Sequence, residues 1–587
     1  MPSIPLSSLS PFLSFLPSLS SFPVPTSPRF FTSLHHPPAM TLPLVHDTMN
    51  LIMDNPFLCL AIGLLLIFLL RWSSTPALKD VPTVKYHALL PDFLNRIFYY
   101  PNAIRMISEG YYKYKDCIFR MLTGDGEVYI LPMKYQKDLR RLPLSKVSSL
   151  HAQYENALGD YTHILLNTEL VSLTIRKRLT PNLSRVVPRM IDELVGVFND
   201  ILPESEGSIL TGGPYSTDWV KINANTLFNR LIAVSASRLM VGDALRQNEE
   251  WLNAVITYAH SLGITLVLLR PVPKYLRPLV APFLPPIWHM NKSVRLARRL
   301  FVPIIDERRR AAQENPAYTK PDDFLQWMLD LSEEMNECIP ASDISTHMLL
   351  LVGLAVTHTS TMALCHAMFD LITKPEYLKP LREEIQRTLP DGWRKGTQAA
   401  FADQARLDSF LRESQRFGPP GDLSFHRIVM QPLTLHDGVV LPKGIHICFP
   451  AGAISMDPRY VSNPLAFDGF RWCKTPEDRY AMSPELVKSS LVDNEPEKNE
   501  DTASNTPASW VTVTETNMGF GYGLQTCPGR FFASNTTKII LSRLILDYDF
   551  KLVGDKLGER PANVFIGEHI LPNLDAEILF RKKSLAF

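Results

Sequence analysis

The longest purely apolar run in the chain comes early, from Pro56 to Leu70, and is stopped by Arg71-Trp72. It holds 15 residues, or 20 when counted from Leu51 across Asp54. A membrane-spanning helix needs about 20, so the run predicts a single transmembrane helix over 51–72. A cleaved signal region and a buried core helix are the alternatives. The missing small-residue cleavage pattern and the Arg-Trp stop favour an uncleaved anchor. Arg71 and Lys79 follow the run while Asp47 and Asp54 precede it, which places the large C-terminal part in the cytosol. Ser73 to Pro76 and Val81-Pro82 read as a hinge. No later stretch reads as long and apolar enough to span.

Apolar positions recur at helical spacing from Ser342 to Thr373 and stop at Lys374-Pro375, predicting one long buried helix. Its middle, Gly353-Leu-Ala-Val-Thr-His-Thr-Ser-Thr361, turns hydroxylic. Hydroxyls can bond the carbonyl one turn back, so a local bulge that admits water is expected there. Leu407, Phe410, Leu411 and Phe417 share one face of an amphipathic helix over 407–416, on which Glu413 and Arg416 are spaced to pair. Residues 251–288 are very apolar and Pro-rich. The prolines predict short apolar pieces, suited to a surface dipping into lipid. Residues 83–165 mix β-patterned runs such as Val128 to Leu131 with helical patches. Between Pro419 and Pro450 strands are expected, with a turn at His436-Asp-Gly438. Ile539, Ile540, Leu544 and Tyr548 trace a helical core face, and 549–579 reads as a β-hairpin. The fold class is therefore mainly α with smaller β-sheets (α+β).

Composition sharpens this only at the ends and in exclusions. Residues 1–48 read as a disordered Ser/Pro-rich leader, since the first forty hold 10 Ser, 9 Pro, one Arg and no acid. A transit peptide or an over-extended gene model would look the same. Residues 484–509 are Ser/Asn/Glu-rich and read as a flexible insertion in a domain covering 80–587. With 60 Lys+Arg against 59 Asp+Glu, the chain has no electrostatic footprint for nucleic acid. Its seven cysteines are scattered and never form Cys-x-x-Cys, which argues against disulfides and structural zinc and for a reducing compartment.

One of those cysteines stands in unusual company. Met518-Gly-Phe-Gly-Tyr-Gly-Leu-Gln-Thr-Cys527-Pro-Gly-Arg-Phe-Phe-Ala533 places four glycines in eleven residues around Cys527, and a helical pattern follows. Backbone N–H groups and a helix N-terminus near the sulfur favour thiolate, the metal-binding form. A rigid loop presenting one thiolate to a large flat body suggests haem iron; a buried structural cysteine is the bland alternative. The spacing Phe520-x-x-Gly523-x-x-x-Cys527-x-Gly529 resembles the haem-binding signature of the cytochrome P-450 superfamily. The form Cys-Pro-Gly-Arg-Phe-Phe-Ala resembles its fungal membrane-anchored members, as do Gly110 to Lys115 and Leu179 to Leu183.

That resemblance implies the rest of the site. Cys527 is the axial ligand of haem b, in a loop with Phe520, Gly521 and Gly529. Gln525 departs from the family's Arg or His, a haem-propionate contact. Ala355, His358 and Thr359 match the distal oxygen-binding helix. His358 stands where an acid is usual, is expected to titrate nearer neutrality than a carboxylate, and has a satisfied core histidine as its alternative. Glu413, Arg416 and Arg471 match a buried triad. Arg427 matches a propionate-binding arginine, with His426 as runner-up, and Leu423 to Phe425 then line the pocket. Arg176 to Arg178 match a haem-edge helix or form a basic docking face.

The implied activity is a haem-thiolate monooxygenase using O2 and NADPH electrons delivered by a separate NADPH-cytochrome P-450 reductase. Its substrate is a hydrophobic small molecule, by resemblance to ent-kaurene oxidase-type enzymes a fungal terpenoid or related secondary metabolite. The expected location is the endoplasmic reticulum membrane, single-pass, with lipid contact and no nucleic-acid partner. A haem-thiolate isomerase or dehydratase, or a non-catalytic membrane haem-binding protein, are the alternatives.

Overall fold

The chain clusters into two units, Met1–Thr75 and Pro76–Phe587. The computed structural model describes residues 78–583 except 79, 125, 166–168, 203–218, 243–244, 246–247, 316, 474–508 and 555–557. The expected anchor, the leader and nearly all of the 484–509 insertion lie outside the described residues. The rest is mostly helical with small sheets.

The principal sheet contains β1 (Thr83–Val84), β2 (Phe119–Leu122), β3 (Glu127–Ile130), β4 (Val147–Ser148), β6 (Ser424–Val429) and β9 (His446–Phe449). They run in the order β1-β2-β3-β9-β6-β4. β5 (Val220–Asn223) lies in a second sheet, and β7 (Leu433–Thr434) pairs with β8 (Val440–Leu441) around the turn expected at 436–438. Gly438 takes φ 85° there, a conformation glycine adopts without strain. The closing region differs from the single hairpin expected. β10 (Tyr548–Leu552) pairs with β13 (Glu577–Lys582), and between them β11 (Val564–Ile566) and β12 (His569–Leu571) form a second hairpin.

Helix runs unbroken from Ala341 to Thr373, but with a change of pitch. Leu351–His358 is π-helical, the widened form expected where hydroxyls compete for carbonyls, and Thr359 Oγ1 donates to Ala355 O at 2.7 Å. Gly353 allows the Glu249–Leu269 helix to cross here, since a Cβ would sit 2.9 Å from Val255 O.

That crossing helix corrects the reading of 251–288. All its prolines lie at or after 271, so Glu249–Leu269 forms one 21-residue helix, and Pro285 and Pro286 open a 30-residue helix to Glu314. Proline is well tolerated in a first turn, where its missing N–H has no partner to lose. A second correction follows. Glu249–Leu269 and Ala341–Thr373 are both long and apolar enough to cross a membrane, although half and two-thirds of their apolar windows are buried in protein. The helix after Cys527, Arg530–Asp547, is buried on nearly every side rather than on one face, with Ile539, Ile540 and Leu544 at 0% exposure.

Candidate active site

The cysteine loop is tied down from several directions. Cys527 N–H donates to Phe520 O at 2.9 Å, and Leu524 N–H to Arg140 O at 2.7 Å. Gly523, at φ 75°, lies so close to the Arg140 main chain that no Cβ fits. Gly521 is also left-handed, at φ 82°, whereas Gly529 has no protein atom within 4 Å of the position a Cβ would take. Gln525, singled out as a missing propionate charge, has a different occupation. Its Oε1 accepts from Ser149 N–H at 2.9 Å, and its Nε2 donates to Val147 O at 2.8 Å and Leu142 O at 3.3 Å. The loop is thereby clamped to β4.

The sulfur departs from expectation in one respect. Burial pushes the Cys527 thiol above its ordinary value; the N–H groups of Gly529 and Arg530 and the Arg530 guanidinium pull it down by less. Metal coordination deprotonates a thiol outright.

Beneath the loop, Glu413 is fully buried and every lone pair it offers is used. Arg416 forks onto it at 2.7 and 3.0 Å, Arg471 Nε at 3.2 Å, Trp472 Nε1 at 3.2 Å and Asp468 N–H at 3.1 Å. The two arginines also donate to carbonyls of Pro464 and Ala466, so the three expected residues do meet.

Arg427 is the opposite case. It is 4% exposed, has no carboxylate partner among the described residues, and its Nε has no hydrogen-bond partner. It donates only to His426 O at 2.8 Å and, weakly, to Tyr522 O of the cysteine loop at 3.4 Å, and lies over the Phe425 ring. Burial pushes its pKa down to about 9. A buried guanidinium with spare donors is a seat for an anion.

The neighbouring expectations fare differently. His426 is no propionate contact, because Glu568 Oε1 and His446 Nε2 each lie 3.0 Å from its ring nitrogens. Phe425 is packed into a core against Phe449 and Tyr522, whereas Leu423 and Ser424 line a small cavity together with Arg412, Gln415 and Gly519. The cause is a register shift between Ser424 and Arg427 with Phe425 at φ 60°, which turns the strand's side chains.

On the long central helix, Ala355 and Thr359 are exposed one turn apart, beside half-buried His358. Burial, then the charges of His569 and His260, push His358 down to about 4. It is held neutral at pH 7 and does not titrate near neutrality as expected.

A family model described as cytochrome P-450 matches residues 174–565. This chain belongs to the cytochrome P-450 family. It is 39% identical over 537 residues to cytochrome P-450 monooxygenase AtmP of Aspergillus flavus, covering 90% of this chain and 96% of that protein. It is 41% identical to penP of Penicillium crustosum (86% and 90% covered) and 39% to paxP of Penicillium paxilli (89% and 94%), both also named cytochrome P-450 monooxygenases. The chain is accordingly an oxidoreductase of the monooxygenase kind, and its family cofactor is haem with a thiolate ligand. The residues present fit that group: a spare buried guanidinium beside the loop, a glycine with open space at 529, and a cysteine of the loop, Cys527, that is accessible at its surface.

Sequence reasoning missed His260, Glu568, His569 and Arg560. They share no motif, and only the fold brings Glu568 to His426, Arg560 to His366, and the charges of His260 and His569 to bear on His358.

Proposed function

We propose that the chain is a membrane-anchored haem-thiolate monooxygenase that takes electrons from NADPH through a separate reductase and oxidises a terpenoid or related apolar metabolite. In this reading Cys527 holds the iron, Arg427 pairs with a propionate, and Phe520, Gly521 and Gly529 floor the seat. Bound haem supplies the activation of dioxygen and the oxidation of the substrate. Ala355 leaves room on the distal side. Thr359 gives its proton to Ala355 O, so its oxygen lone pairs face outward to hold water or a proton at Oγ1. His358, neutral, accepts or donates without adding charge. Glu413, Arg416 and Arg471 keep the segment below the loop in place.

The observation that carries the reading is the buried, acid-free guanidinium of Arg427 against the cysteine loop. The cleft lined by Arg140, Arg141, Thr526 and Arg530 suits an acidic reductase surface, and Arg176 reaches Leu524 O at its edge. Leu276, Leu279, Phe283 and Trp288 are exposed after the Glu249–Leu269 helix, which supports lipid contact and, with residues 51–72 as anchor, the endoplasmic reticulum membrane. The test is the carbon monoxide difference spectrum of reduced membranes, followed by product formation with and without NADPH and reductase. A thiolate-type band and NADPH-dependent product are expected. Product without NADPH would point instead to an isomerase or dehydratase.

A further inference from the structure

Between β4 and the cysteine loop, main-chain donors gather around the spare guanidinium. β4 pairs antiparallel with β6, Val147 opposite Val429 and Ser148 opposite Ile428. One more step in that register brings Ser149 across from Arg427, at the point where β4 ends and an eight-residue helix, Ser149–Asn156, begins. Ser148 caps this helix: at φ −110° and ψ 118° it is extended, and its Oγ accepts from His151 N–H at 3.2 Å. The N–H of Ser149 donates to Gln525 Oε1 at 2.9 Å. The N–H of Leu150, in the same first turn, has no intrahelical acceptor and no other acceptor among the described residues.

Arg427 grips the same turn of the loop. Its Nη2 reaches Tyr522 O, three residues before Gln525, while its Nε is buried with no partner. The 522–525 turn is thus held from two sides, by a helix start and by a guanidinium, and each keeps a donor unspent. The partial positive charge of a helix start and the full charge of an arginine attract an anion in the same sense. Gln525 shows why the main chain is needed. Where the family carries Arg or His, this side chain is neutral, and both its ends are taken up by the main chain at 142, 147 and 149. Turning it toward a cofactor would release β4 and the helix together.

We propose that the first turn of the Ser149–Asn156 helix and Arg427 form one seat for a haem propionate, with the Leu150 N–H and the positive end of the helix replacing the cation absent at 525. Gln525 is the positioning residue: it holds the helix start against the loop and does not itself touch the carboxylate. The inference deepens the haem-thiolate reading and rests on it.

The test follows transfer of haem from the full-length holoenzyme to excess apomyoglobin. Ser149→Asp sets a carboxylate at the helix start, across from Arg427, and Ser149→Asn is its neutral match. Ser149→Asp is expected to lose haem roughly three- to thirtyfold faster than Ser149→Asn, because the new charge repels the propionate and occupies Arg427. Its apoprotein should melt no lower than that of Ser149→Asn, since an acid in a first turn favours the helix. Haem dimethyl ester, which carries no propionate charge, should leave both variants at similar rates. Gln525→Leu should speed the loss of haem more than that of the ester, and Gln525→Arg, which supplies a cation directly, should restore retention of haem. Equal haem transfer from Ser149→Asp and Ser149→Asn overturns the inference, as does a difference of the same size with the ester. The carbon monoxide spectrum of the parent separates the two failures: a missing thiolate band sinks the haem reading, and an intact band with equal transfer sinks only this one.

Discussion

Two buried charge sites, one at Glu413 and one at Arg427, are built on opposite plans. At Glu413 the protein satisfies everything: two guanidiniums, an indole and a main-chain N–H converge on one carboxylate. At Arg427 it satisfies almost nothing, leaving a buried guanidinium with an unmatched Nε. Buried charge is costly without compensation. A site complete within the chain is architecture; a site left incomplete is reserved for something that arrives later. Arg416, Arg471 and Arg427 are the same residue type in the same buried setting, and only their partners tell them apart.

Experiments can press on that difference. The largest effect is expected from Cys527→Ala, which abolishes the thiolate-type carbon monoxide band in reduced membranes; a normal band in that variant would end the assignment of the loop. Next comes Glu413→Ala, which strands two guanidiniums in the interior and is expected to cost roughly 3–5 kcal/mol of folding stability. Denaturant unfolding of apo and haem-loaded protein reads it, and a loss confined to the loaded form would mean Glu413 serves haem rather than architecture. Arg427→Met should behave the other way. It removes an uncompensated charge, so apo stability stays level or rises while haem affinity falls roughly ten- to a hundredfold, as for a lost hydrogen bond to a charged group. Haem transfer to an acceptor protein measures this, and unchanged transfer would break the contrast.

A smaller effect is expected from acid. His358 and His446 are pushed down to about 4 and about 3, each mainly by burial. In the unfolded chain both take up protons near the ordinary value of 6.5, so the unfolded state binds more protons between that value and about 4. Their contribution to stability is whole above pH 6.5 and is lost as the pH falls below it. Melting temperature should drop from about pH 7 to about pH 5, and His358→Gln should flatten the slope. An unaltered slope in that variant would show that His358 is solvated and not held neutral.

Much of this was legible from residue order. The cysteine loop, the hydroxylic bulge and the Glu413–Arg416 pair follow from local spacing, because glycine φ, hydroxyl back-bonding and i,i+3 reach are local physics. What failed depended on distant partners. His358 reads as a near-neutral group until packing buries it, with the charges of His569 and His260 adding to the effect. His426 reads as a propionate contact until Glu568, 142 positions away, claims its ring. The prolines after 271 were read as breaking a helix that ends before them, a matter of position and not of propensity.

Gln525 carries a consequence for anyone recombining this enzyme with its relatives. A motif so compact invites treatment as a portable cassette. Here its glutamine is knotted into the main chain at 142, 147 and 149, and 147 and 148 pair with the strand that holds Arg427. A transplanted loop would arrive without its moorings. The smallest exchangeable block is the loop together with residues 140–149, and a chimera cut between them should lose its register before it loses its chemistry.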